Sequence, residues 1–69
     1  MTDELPAPPW DVVSHDGSFE VRAPSGEHVY IHFEEDDYRR SALKRFSREQ
    51  AKTVALALAR WLNDTSAGN

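Results

Sequence analysis

Cysteine is absent from this 69-residue chain, so there is no disulfide scaffold and no thiolate metal site. That absence agrees with a reducing compartment. Positive charge is in deficit, with 12 Asp and Glu against 8 Lys and Arg and a formal net charge of −4. Nucleic-acid binders draw most of their affinity from phosphate neutralisation and are usually basic overall, so the balance leans against that class. Long apolar runs are missing too. The stretch from Val54 to Leu62 is broken by Arg60 and is too short to span a bilayer. Met1 to Trp10 has no basic segment followed by an apolar one, so a signal peptide or membrane anchor is not expected. The expectation is a soluble, cytoplasmic protein without a membrane partner. Glycine-rich phosphate loops and nucleophile elbows are also lacking. A chain this short has little wall from which to build a water-excluding pocket. No enzymatic activity, cofactor or small-molecule substrate is expected.

What is present organises into one domain. Residues 1–9 carry three of the four prolines and read as a flexible tail. Residues 10–64 hold the periodic patterns, and residues 65–69 read as a disordered C-terminus. Asp16-Gly17 lies between two alternating runs, a strong hairpin signal. A two-residue turn there pairs His15 with Ser18 and Val12 with Val21. Pro24-Ser25-Gly26 marks a second turn, which pairs Ala23 with Glu27, Val21 with Val29 and Phe19 with Ile31. In this register Val12, Phe19, Val21, Val29, Ile31 and Phe33 share one face. A one-residue slip would scatter them. The opposite face reads Asp11, Val13, His15, Ser18, Glu20, Arg22, His28, Tyr30, His32 and Glu34, and is expected to be polar and wet.

A helix is expected from Ser47. Ser47 with Gln50 makes a capping box, and Glu49 sits in the positive first turn. Ala51, Val54, Ala55, Leu58 and Leu62, flanked by Trp61, form an apolar stripe. Asn63 and Asp64 are read as its end, giving roughly four turns. The stripe should cover the apolar sheet face, with Trp10 near the helix end that carries Trp61. The predicted fold is α+β, a three-stranded antiparallel meander packed on one C-terminal helix (βββα).

Between sheet and helix the chain turns sharply from acid to base. Glu34, Glu35, Asp36 and Asp37 run together, and Arg39, Arg40, Lys44, Arg45 and Arg48 follow. Residues 38–46 form the crossover, with a helical turn near Ser41 to Lys44. Two readings stand side by side. One is a solvated connector whose charge also blocks edge-to-edge association. The other is a cationic surface beside an anionic one, which would orient a charged partner.

The pattern Trp10-x-Val12, Tyr30-x-x-Phe33-Glu34, Arg39-Arg40 and Ser47-Arg48-Glu49-Gln50-Ala51 resembles a group of small uncharacterised bacterial βββα proteins. The resemblance spans Trp10 to Leu62 and implies a fold and no chemistry. A weaker likeness is to the amino-terminal DNA-binding domains of phage-type integrases and to plant AP2-like domains. In those folds the exposed sheet face enters the major groove and carries Arg or Lys. Here that face offers one arginine, Arg22, beside Asp11, Glu20 and Glu34.

Candidate chemistry lies on the polar face and in the crossover. A metal would need ligands within about 2.0–2.2 Å of one ion. His15 and His32 share a row on outer strands, about 10 Å apart at the Cα atoms, and His28 lies four residues from His32, so no metal site is expected. Glu34 to Asp37 lack the spacing and glycine of a calcium loop. Asp11, Arg22 and His28 share a row that suggests a cross-strand ion pair. Tyr30, central on the open face, is the leading contact residue, because Tyr and Arg serve as binding anchors. A second chain could add at a sheet edge or on the helix flank bearing Leu56. The expected function is a small non-catalytic interaction module, regulatory or inhibitory, of the kind phages and mobile elements encode. It would bind a protein partner, or itself as a homodimer, through Tyr30, His28, His32, Arg22, Glu34, Arg39, Arg40, Lys44 and Arg45. The alternative is nucleic-acid binding by the basic crossover Arg39 to Arg48.

Overall fold

The computed structural model describes residues 4–67, with side chains to residue 65. Three short strands, β1 (Asp11–His15), β2 (Ser18–Arg22) and β3 (His28–His32), are followed by α1 (Asp37–Leu43) and α2 (Arg48–Ala67). The strands form an antiparallel sheet in the order β1-β2-β3. Its register is the one read from the turns: His15 opposite Ser18 and Val12 opposite Val21, then Phe19 opposite Ile31 and Val21 opposite Val29. Each turn needs glycine at one position, since Gly17 has φ 89° and Gly26 has φ 107°. In the second turn Ala23 N–H donates to Glu27 O at 2.9 Å and Gly26 N–H to Ala23 O at 3.0 Å.

The core lies between one sheet face and α2. Phe19, Val21, Ile31 and Phe33 face it from the sheet, with Trp10 and Ala23 at one end. The helix contributes Ala51, Ala55, Ala59 and Leu62, with Leu58 partly buried. Three of these are alanines spaced four residues apart. Small side chains let the helix backbone settle directly onto β2, the strand it packs against most.

That close seat rotates the expected stripe. Ala59 replaces Val54 in the core. Val54, 37% exposed, and Trp61, 57% exposed, turn outward. Val29 is on the expected face but remains 45% exposed. One helix centred on β2 does not reach across to that end of the outer strand. Trp10 is buried at the C-terminal end of α2, as expected. Its N–H donates to Asn63 Oδ1 at 2.6 Å and its carbonyl accepts from Asn63 Nδ2 at 3.1 Å.

The helix start agrees with the capping box. Gln50 N–H donates to Ser47 Oγ at 3.2 Å, and Ser47 N–H donates to Gln50 Oε1 at 3.0 Å. Its end does not. Asn63 is engaged with Trp10 rather than terminating the helix, and α2 continues to Ala67. Of the expected disordered end, 65–67 are therefore helical, and residues 68–69 lie outside the described residues. At the other terminus, Leu5 packs against the core and Trp10 Nε1 donates to Pro6 O at 3.3 Å. Part of the expected tail is thus attached to the domain; residues 1–3 lie outside the description.

Candidate functional site: the open sheet face and the crossover

Among the described residues no element covers the side of the sheet away from α2, yet that side is not uniformly wet. Glu20 and Ser18 on the central strand are buried, contrary to expectation. The side chains of the two flanking strands lean over them. Glu20 keeps only 7% of its side chain exposed and receives His15 Nε2 at 2.7 Å and Arg22 Nη2 at 3.1 Å on one oxygen. Every buried side-chain polar atom among the described residues has a partner. The His15 hydrogen bond, with the Arg22 charge, holds the Glu20 carboxyl below its usual range against the opposing effect of burial. Arg22 therefore serves Glu20 within its own strand, and the expected Asp11–Arg22–His28 ion pair does not form.

Tyr30 stands opposite Glu20 on β3 and is 46% exposed. Three imidazoles surround it. His28 meets its ring edge-on at 5.2 Å between centroids, His32 stacks at 6.2 Å with 21° between planes, and His15 tilts against it at 5.8 Å. Sequence spacing placed His15, His28, Tyr30 and His32 on one face, but left His15 on the far outer strand from the other three. The missing signal is side-chain lean: His15 reaches diagonally across β2 to Glu20 and so arrives beside Tyr30. The rings gather around a phenol and do not converge on a point. The described residues contain no group of three or more His, Cys, Asp or Glu arranged to hold a metal ion. They also enclose no pocket, so the face is open.

The crossover differs from the expected connector. The helical turn foreseen near Ser41 to Lys44 is a two-turn helix that starts earlier. Asp36 caps α1 by accepting from Arg39 N–H at 2.9 Å, and Asp37 pairs with Arg40 at 2.5 Å. Glu34 accepts from Asp36 N–H at 3.2 Å and lies 3.9 Å from Arg39. Arg40 also donates to Glu34 O at 3.4 Å. The helix buries none of its residues. Lys44 ends it at φ 56°, in the left-handed region. The chain then returns to the sheet, where Phe46 bridges Phe33 and accepts from Glu34 N–H at 3.0 Å.

Acids and bases are thus interleaved rather than set out as two opposed patches. Arg39 and Arg40 face carboxylates. Arg48 lies 5.5 Å over the Phe19 ring and 6.0 Å from Phe33, covering the mouth of the core. Of the five crossover cations, Lys44 and Arg45 alone have neither an ion pair nor a ring contact among the described residues. Tyr30, His28, His32 and Arg22 form one cluster, and Glu34, Arg39 and Arg40 form another; Lys44 and Arg45 join neither.

No protein-family model, curated protein or solved structure matches the chain, so its own residues carry the functional reading. Among the described residues no helix is long and apolar enough to cross a membrane.

Proposed function

We propose that this protein is a small non-catalytic interaction module that binds a protein partner through the open sheet face, with Tyr30 as the anchor. The observation that carries this reading is the half-exposed Tyr30 ring within a collar of three imidazoles, above a carboxylate already satisfied by His15 and Arg22. A tyrosine offers a rigid apolar plate and a polar tip at low entropic cost. The strands hold that plate before any partner arrives, which lowers the ordering cost of binding. Arg22 and the imidazoles favour a partner that brings acidic or planar side chains. Arg39, Arg40, Lys44 and Arg45 in the crossover would act as a rim, steering encounter more than adding affinity.

Nucleic-acid binding by the basic crossover has weaker support, because Arg39 and Arg40 already face carboxylates and Arg48 lies over the core. Two experiments separate the readings. Affinity capture from native lysate should retain a partner with the wild-type chain. It should lose that partner with Tyr30→Ala and keep it with Leu56→Glu on the far side of the molecule. Capture indifferent to Tyr30→Ala would reject the sheet-face site. Fluorescence anisotropy with duplex and single-stranded DNA at two salt concentrations should show no binding. Steep salt-dependent binding, abolished by changing Arg39 and Arg40 to Glu, would favour the alternative.

A further inference from the structure

We propose that two copies of this chain pair along the outer edge of β3, around a two-fold axis at Val29, into a six-stranded sheet with both α2 helices on one side. The inference concerns the strand edge and the helix side of the sheet, so it stands independently of partner binding on the opposite face.

The two edges of the sheet differ. β1 starts with Asp11, follows a proline-rich segment, and has the backbone of Trp10 taken by Asn63. β3 reads His-Val-Tyr-Ile-His, with no Asp, Glu, Lys or Pro, and so lacks the charges and prolines that normally protect an edge. Its free backbone groups follow from parity. Phe33 N–H points inward to Gly17 O at 3.1 Å, and Glu34 N–H points outward to Phe46 O at 3.0 Å. Even-numbered residues therefore face out, and the edge is open at His28 and Tyr30. The Phe33–Phe46 bridge covers the far end. A two-fold axis at Val29 uses the open part. It sets His28 of each copy opposite Tyr30 of the other as a hydrogen-bonded pair, and Val29 opposite itself as a non-hydrogen-bonded pair with Cα atoms about 4.5 Å apart.

The helix supplies the second half of the surface. Asn63 reaches Trp10, so that flank of α2 lies toward β1. At 3.6 residues per turn, Trp61 and Val54 point roughly 160–180° away from Asn63, toward β3. The flank that carries them also holds Gln50, Ala57, Leu58 and Thr65, and the nearest charge, Asp64, stands at its outer border. The chain as a whole is 29% charged. Val29, Val54 and Trp61, each more than a third exposed, belong to this uncharged band. Burying unpaired charge against this band would be costly, so an equally uncharged surface covers it best, and the same band on a second copy provides one beside a self-complementary strand edge. Distances agree. With each helix over its own β2, three strand spacings of about 4.8 Å set the helix axes ~14 Å apart. Directly packed helices stand about 8–10 Å apart. Val54, Leu58 and Trp61 from both copies fill the difference, closing over the two Val29 side chains.

Sedimentation velocity over a range of concentrations, with a cysteine introduced into this cysteine-free chain, tests the arrangement. The wild type is expected to sediment as a dimer, and Trp61→Glu as a monomer with an unchanged far-UV spectrum. Under mild oxidation Val29→Cys should form a symmetric disulfide, because a Cα separation near 4.5 Å lies within the bonding range. Leu56→Cys, at least as exposed and on the other flank, should not. A wild type that is monomeric at every concentration overturns the proposal. So does a dimer that survives Trp61→Glu, or crosslinking as fast through Leu56→Cys as through Val29→Cys.

Discussion

Glu20 is the residue on which the polar face turns. Its carboxyl is held below the ordinary range first by the His15 hydrogen bond and then by Arg22. A group whose folded value is depressed contributes stability above its unfolded value, and that contribution is lost as pH falls through the folded one. Glu27, lowered by the Ser25 hydroxyl and its own N–H, acts in the same direction. The melting temperature should therefore fall on acidification below the ordinary glutamate range. Glu20→Gln should lower it at neutral pH and flatten that acid limb, as thermal melts across pH would show. Tyr30→Ala should lower stability only modestly, by roughly 0.2–1 kcal/mol, because the ring lies outside the core and packs only against the three imidazoles. The burial of Glu20 was not legible in the sequence. Alternation gives a side chain's face, whereas its depth depends on how far His15, Arg22 and Tyr30 lean over it.

At the scale of the element, α2 combines a local signal with a tertiary one. The Ser47–Gln50 box is local: each side chain satisfies the other's backbone N–H. Ser47→Ala should cost about 1 kcal/mol, measured as a shift in the urea midpoint with an unchanged slope. The buried face is tertiary. Ala51 and Ala55 have no exposed surface, so nothing larger fits between the helix and β2. Ala55→Leu should destabilise by roughly 1–3 kcal/mol, although leucine prefers helix as strongly as most residues do. An outcome within error of wild type would mean that the helix can lift off the sheet. The stripe expected from the sequence ranked Val54 and Trp61 above Ala59 because hydrophobicity was weighed without the distance between layers.

For the whole molecule, one helix covers one face of the sheet and is centred on β2. The consequences are an open polar face, an exposed Val29 and an uncharged flank beside an unprotected edge. If the flank and edge are covered by a second copy, folding is linked to association, and the melting temperature should rise with protein concentration. Differential scanning calorimetry over a wide concentration range checks this. Trp61→Glu should remove the dependence. A concentration-independent wild type would count against the dimer. The crossover belongs to this scale as well. Its alternation of acid and base looked like two opposed patches, but the cap at Asp36 and the pairs to Arg39 and Arg40 consume much of that charge within α1.

The sequence by itself determined the order of elements, both turns, the register of all three strands and the start of the final helix. Each rests on short-range chemistry: glycine at positive φ, side chains alternating along a strand, and a reciprocal cap. Tertiary structure alone decided which apolar residues are covered, that Glu20 is buried and that His15 joins Tyr30. It also decided that α2 runs past Asn63. These outcomes depend on the distance and angle between layers, which are set by the small side chains at the contact and by long side chains reaching across strands, and no periodicity encodes either.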